Sequence, residues 1–296
     1  MRYRNWLVLG LALGGAALAS PASAANGHYV PGVEGLNGAM VPPPGLYYRG
    51  YLARYEIDSL RDGGGDAAPG RNRGEVTALV NRLVWITDRQ VLGADYGVEA
   101  ILPVVDTSLR FGGVGLDDGD SGLGDLFLSP LVLGWHGERW DAVFAAGQWL
   151  DTGDHAADRP ASPGKGFDST MLTLGGAWRL DEARRWTVSA LSRYETHGRQ
   201  SDTGVTPGDS LVVEWGLGHR LASGLTLGLV GYDAWQLEDD SGAAPGDKAE
   251  QHAIGVEAGV FWPALGLGLN AALYHEYDNR AAPQGDLLRL TLTQAF

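Results

Sequence analysis

No cysteine occurs in the 296 residues, which excludes the disulfide frameworks on which small secreted domains depend. Basic residues are scarce: 22 Lys and Arg stand against 36 Asp and Glu, for a formal net charge of −14. A nucleic-acid partner is excluded on that ground, because phosphate neutralisation needs a basic surface. Long hydrophobic runs are scarce too. The stretch from Trp6 to Leu18 is interrupted by glycines and falls short of the ~20 apolar residues of a helical span, and no later segment approaches it. Metal patterns are also missing. The seven histidines, at 28, 136, 155, 197, 219, 252 and 275, include no pair at helix-ligand spacing. Gly112, Gly113 and Gly115 precede nothing helical, so they are not a dinucleotide site. No cofactor is expected.

What is present begins with a leader. Arg2 and Arg4 precede the apolar stretch, and Ala22-Ser23-Ala24 follows it as a small-residue cleavage site. Residues 1–24 therefore read as a signal peptide cut before Ala25. Glycine is abundant, at 45 residues, and so are tryptophan and tyrosine, at 10 and 11. Aromatic girdles around a Gly-rich sheet account for both.

Read at period two, the chain gives twelve strands, at about 46–57, 75–87, 94–105, 125–136, 140–150, 169–180, 186–197, 210–221, 225–237, 251–262, 266–277 and 287–296. Leu211, Val213, Trp215 and Leu217 alternate with Val212, Glu214, Gly216 and Gly218. Ile254, Val256, Ala258, Val260 and Trp262 likewise alternate with Gly255, Glu257 and Gly259. At the end, Leu288, Leu290, Leu292 and Phe296 share a face opposite Arg289, Thr291 and Thr293. An amphipathic strand ending on an aromatic suits a closing barrel strand, and Phe296 is the expected assembly signal. Long and short connections alternate, the long ones including 106–124 and 151–168. The pattern predicts an all-β, antiparallel, up-and-down transmembrane barrel over 46–296 with both termini on the short-turn, periplasmic side. Trp85, Trp140, Trp149, Trp178, Trp186, Trp215, Trp235 and Trp262 are expected in interfacial belts.

A charge facing hydrocarbon at the bilayer midplane costs ~2–4 kcal/mol for Arg or Lys. Alternation therefore assigns Arg82, Glu99, Arg193, Glu195, Glu214, Glu257, Glu276 and Arg289 to the lumen. They either pair and fill the barrel or line a narrow polar route. Arg193, Glu195, Glu214 and Glu257 are expected to converge. Arginine should be tolerated at the inward Thr291 and should destabilise at the outward Leu229 and Val256. Residues 25–45 precede the first strand and are either a periplasmic lead-in or a plug, with the stiff Pro42-Pro43-Pro44 as the plugging residues.

Two motifs carry other chemistry. Gly208-Asp209-Ser210-Leu211 spells a serine-esterase signature, but it sits at a loop-to-strand junction where Gly-Asp is ordinary turn chemistry. Asp117, Asp118 and Asp120 have the oxygens calcium wants but lack the EF-hand pattern. They read as an outer acidic loop that could bridge lipopolysaccharide phosphates through divalent ions; no metal site is assigned.

The segment Gly27-His28-Tyr29-Val30-Pro31-Gly32-Val33-Glu34-Gly35, followed by Val41-Pro42-Pro43-Pro44-Gly45-Leu46-Tyr47-Tyr48, resembles the start of outer-membrane proteins grouped as a meta-pathway phenol-degradation family. The likeness continues through Gly124-Asp125, Ser129 to His136, Thr152-Gly153-Asp154, Tyr194 to His197, Pro207-Gly208-Asp209, Glu214-Trp215-Gly216 and Val230-Gly231-Tyr232. Leu150-Asp151-Thr152 departs from it where a proline before the threonine is expected. The resemblance implies uptake of phenol-like or other aromatic compounds and brings no set of binding residues. The sequence thus points to a monomeric outer-membrane channel for passive uptake of small aromatic or hydrophobic molecules. Its expected partners are outer-membrane lipid and lipopolysaccharide, the barrel-assembly machinery and the solute. A barrel-borne hydrolase and a closed structural or adhesive barrel are the alternatives.

Overall fold

A computed structural model describes residues 27–242 and 246–296. The leader assigned to 1–24 lies outside the described residues. The strands are β1 (Gly45–Leu60), β2 (Asn72–Val91), β3 (Ala94–Phe111), β4 (Leu116–Leu123), β5 (Leu126–His136), β6 (Trp140–Leu150) and β7 (Ser169–Arg179). They continue as β8 (Trp186–His197), β9 (Ser210–Arg220), β10 (Thr226–Gln236), β11 (Glu250–Trp262), β12 (Leu267–Glu276) and β13 (Pro283–Ala295). Every strand pair is antiparallel. β1 pairs with both β2 and β13, which closes the sheet. β4 and β5 both pair with β3, one above the other, and are two parts of a single stave interrupted at Gly124-Asp125. The result is a closed twelve-stranded barrel.

Alternation decides which side chain meets which medium. In β13, Leu288, Leu290 and Leu292 are 39%, 43% and 40% exposed, whereas Arg289 and Thr291 are 1% and 5% exposed. The outward row is apolar and the inward row is polar, the inverse of a soluble sheet around a greasy core. Phe296 faces outward, and its backbone N–H donates to the Leu46 carbonyl at 3.0 Å, so the last residue is stitched to the first strand.

Two expectations change. The 106–124 segment is not a loop: β3 runs on to Phe111, turns at 112–115 and returns as β4. Sequence periodicity misses this because Asp117, Asp118 and Asp120 leave the returning strand no apolar face. Asp118 and Asp120 share one face of β4, where they meet the 151–168 loop: Asp118 accepts the Ala161 N–H at 2.9 Å, and Asp120 pairs with Arg159 at 2.8 Å. Asp117 points the other way, 3.5 Å from Arg110. Among the described residues no group of three or more His, Asp or Glu could hold a metal ion.

The tryptophans also divide differently. Trp85, Trp140, Trp178, Trp186 and Trp262 are exposed, and all five stand at the short-turn ends of their strands, Trp140 directly opposite Trp178. They form one interfacial belt on the short-turn side. Trp149 points inward and is buried, because its position on β6 falls on the lumen face. Trp215 and Trp235 are half-buried.

Candidate functional site

The lumen is filled by the chain's own N-terminal segment. Residues 27–44 run inside the barrel from its long-loop half down to the short-turn end, where β1 begins. A turn of 3-10 helix at Gly35–Asn37 lies midway. His28, Tyr29, Glu34, Leu36, Ala39 and Val41 are buried. Pro42-Pro43-Pro44 stands at the short-turn mouth with Pro43 and Pro44 exposed, so the filling is done by residues 28–41. The prolines cap its lower end; the Pro43 carbonyl accepts the Tyr47 hydroxyl at 2.8 Å.

Glu34 is the centre of this plug. It is the only acidic residue between Gly27 and Gly45, and three arginines from three strands converge on it. Arg82 and Arg193 reach one carboxylate oxygen at 2.6 and 3.1 Å, and Arg49 reaches the other at 2.9 Å. Arg82 also donates to Glu99 at 2.7 Å, and the Arg193 guanidinium lies 4.1 Å over the Tyr29 ring. A buried carboxylate is tolerated only where charge and hydrogen bonds offset its lost hydration, and here three guanidiniums supply both.

The acidic strand residues serve the plug's backbone instead. Glu214 accepts the N–H groups of Glu34 and Gly35 at 3.1 and 2.9 Å, together with the Tyr29 hydroxyl. Glu257 accepts the Leu36 N–H at 3.3 Å and the Arg289 guanidinium at 2.8 Å. Arg289 also donates to the Gly32 carbonyl at 3.2 Å. Glu195 accepts the N–H groups of His28 and Tyr29 at 2.9 and 3.3 Å. A coil has no ladder partner for these amides, so lumen carboxylates take that role. Arg193, Glu195, Glu214 and Glu257 are brought together through the plug, with few contacts among themselves. Glu276 stands apart. It accepts the hydroxyls of Tyr55 and Tyr232 at 2.6 and 2.8 Å and the Gly285 N–H at 2.9 Å.

Glycines on the wall make the fit. A Cβ placed on Gly216, Gly218 or Gly228 would lie 2.6 to 3.1 Å from the Leu36 methyl groups, so these three form a socket for that side chain. Gly35, at φ +63°, has the left-handed backbone that turns the plug, and any side chain there would collide with Glu257.

In the long-loop half, His28 bonds on both ring nitrogens, to Asp125 at 3.1 Å and Ser169 at 2.9 Å, and stacks on Trp149 at 5.3 Å. Asp125 occupies the break between β4 and β5. From there its carboxylate also accepts the N–H groups of Thr152, Gly153 and Lys165 at 3.0, 2.8 and 2.8 Å. It thereby pins the 151–168 loop over the lumen and ties that loop to the plug. Burial pushes the Lys165 ammonium down from its ordinary value.

Between this loop, the plug and the extended β1–β3 wall lies a cavity of about 330 Å³. Its wall is aliphatic and aromatic, including Ile57, Val80, Ile101, Leu109 and Phe111. Arg82 and Glu34 form its floor, and Pro160, Pro163 and Lys165 form its lid.

Ser210 is not placed for catalysis. Its hydroxyl is 3.5 Å from His197 Nε2, the other nitrogen of that histidine is taken by Ser169 at 2.7 Å, and among the described residues no carboxylate is hydrogen-bonded to the ring. Ser210 is also buried, and Gly27 covers its oxygen. Sequence reasoning passed over Glu34, Arg49, His28, Tyr29 and Asp125. The available signal was a single acidic residue flanked by glycine in an otherwise uncharged coil, ahead of strands carrying unpaired inward arginines.

The fold is similar to that of the COG4313 outer membrane channel from Pseudomonas putida F1. The TM-score is 0.78 and the identity 18%, over 90% of this chain and 100% of that one. The beta domain of the Bordetella autotransporter BrkA is more distant, at TM-score 0.51 and 15% identity over 86% of this chain and 100% of that one. The translocator domain of the autotransporter NalP from Neisseria meningitidis stands at 0.50 and 13%, over 88% and 91%. At these identities the likeness is one of fold, that of outer-membrane barrels. No curated protein matches the sequence. Residues 57–292 match the family model described as "Putative MetA-pathway of phenol degradation", and the chain belongs to that family.

Proposed function

We propose that this protein is an outer-membrane channel for small, largely apolar molecules, aromatic compounds among them, whose passage is gated by the N-terminal plug. One observation carries the reading: a closed barrel whose lumen is divided into an apolar chamber of about 330 Å³ and a plug held by polar contacts. The chamber suits a small apolar solute, since ligand cavities of ~300–1,000 Å³ with mainly apolar walls are the usual form of such sites. The plug is held at a limited number of points by hydrogen bonds and ion pairs, which break singly, rather than by a strand added to the sheet. The family's description, which names phenol degradation, supports an aromatic solute. The outward leucines and the tryptophan belt support contact with outer-membrane lipid.

Flux into proteoliposomes tests it, with phenol, benzoate and a sugar of similar size as solutes. Protein-dependent entry of phenol that exceeds entry of the sugar is the expected result. Equal entry of all three, or none above protein-free vesicles, would overturn the proposal and favour a closed barrel working through its loops.

A further inference from the structure

Lys165 is the one cation in the lid of the chamber, and its ammonium makes no hydrogen bond or ion pair with any described residue. Its backbone, by contrast, is fixed at both ends. The N–H donates to Asp125 at 2.8 Å, and the carbonyl accepts the Gln200 side chain at 2.8 Å. A lysine so anchored, half-buried and lining an apolar cavity, is a donor without an acceptor. The ammonium is not among the sealed side-chain atoms that lack a partner, so it stays open to solvent in the chamber, and a bound molecule with an oxygen at one end would accept its hydrogen bond in place of solvent.

The other boundaries define the rest of that molecule. An apolar cavity of ~150 Å³ accepts benzene, so a chamber of about 330 Å³ has room for one or two rings. Away from the lid the wall is mainly apolar, with Val76, Val80 and Ile101, and the tyrosine hydroxyls it includes are already engaged, Tyr55 and Tyr232 by Glu276 and Tyr51 by Arg82. The floor does not favour an anion: its arginines, Arg82 and Arg193, are both engaged by Glu34, and Arg82 also by Glu99. Around the lysine, Asp125 lies within the same lid contacts and Glu195 within electrostatic reach, and both carboxylates oppose a second negative charge.

We infer that Lys165 and the apolar chamber form a solute-binding site for uncharged one- or two-ring compounds bearing a hydroxyl or carbonyl oxygen, with the ammonium donating to that oxygen. The inference rests on the proposed channel function only for the role of the site; binding stands on its own. It makes Lys165 the residue that separates oxygenated rings from bare hydrocarbons, and the acidic surroundings the feature that disfavours carboxylates.

The test is equilibrium dialysis of the full mature protein in lipid nanodiscs against 2-naphthol, naphthalene and 2-naphthoate. Two variants accompany the wild type: Lys165→Met, which keeps the side-chain length, and Ala78→Phe, which fills the chamber from β2. Expected are 2-naphthol binding at least tenfold tighter than naphthalene or 2-naphthoate, loss of that preference in Lys165→Met with naphthalene binding unchanged, and loss of all binding in Ala78→Phe. Heat-modifiable mobility of each variant reports assembly. Tightest binding of 2-naphthoate, or an unchanged 2-naphthol preference in assembled Lys165→Met, would overturn the inference. The vesicle flux assay separates the two readings. Flux of phenol without Lys165-dependent binding sinks this inference alone, whereas Lys165-dependent binding without flux sinks the channel and leaves the site.

Discussion

Substituting Glu34 by alanine removes the one carboxylate on which Arg49, Arg82 and Arg193 converge, at 2.9, 2.6 and 3.1 Å. Arg82 keeps Glu99 as a partner, but Arg193 is 4% exposed and loses its only ion pair among the described residues. Stripping one member from a buried pair costs about 3–5 kcal/mol, because the remaining charge is left uncompensated. The low end applies here, since Glu99 and the Tyr29 ring remain nearby. The barrel's ladder does not involve Glu34, so the cost falls on the plugged state and is relieved when water enters the lumen. A penalty of ~3 kcal/mol shifts the ratio of unplugged to plugged forms by roughly 150-fold. Single-channel recording in planar bilayers reads that ratio as open probability, with a deletion of Gly27 to Ala39 as the open reference. Glu34→Gln, which keeps an acceptor and loses the charge, should fall between wild type and Glu34→Ala. If Glu34→Ala assembles as a heat-modifiable barrel yet opens no more often than wild type, the carboxylate does not hold the plug.

Further outcomes follow from the same geometry. Gly216→Leu places a side chain where Leu36 sits; overpacking of ~1–3 kcal/mol should expel the helical turn and raise conductance, and unchanged conductance would show the socket to be incidental. Leu229→Arg and Val256→Arg, which face each other on the outer surface of β10 and β11, should each destabilise the barrel by ~2–4 kcal/mol in urea unfolding from vesicles. Thr291→Arg should destabilise as well: the site faces inward, but it is 5% exposed and packed between Tyr51 and Asn270, so alternation alone is a poor guide to tolerance there. Deleting Phe296 should lower the yield of assembled barrel while leaving secretion intact, because its backbone closes the seam to Leu46; normal yield would refute that role.

What the sequence determined by itself was the wall. A strand's faces alternate with a period of two, and lipid outside against water and polar groups inside imposes opposite chemistry on them, so Leu211 to Leu217 and Leu288 to Leu292 announce their orientation locally. The same rule carried the lumen charges, since Arg289 and Glu257 cannot face hydrocarbon. It failed where both faces are polar, as in β4, and where an aromatic lies on the inner face, as at Trp149. Only the tertiary structure decided what fills the wall. The plug has no periodicity, and its partners lie up to 257 residues away: Glu34 meets Arg193, Gly32 meets Arg289, and Leu36 fits glycines of two strands. A coil is held by whichever donors and acceptors closure of the barrel brings to it. The position of Glu34, the pinning of the 151–168 loop by Asp125 and the placing of Lys165 over the chamber therefore exist only once the sheet has closed around them.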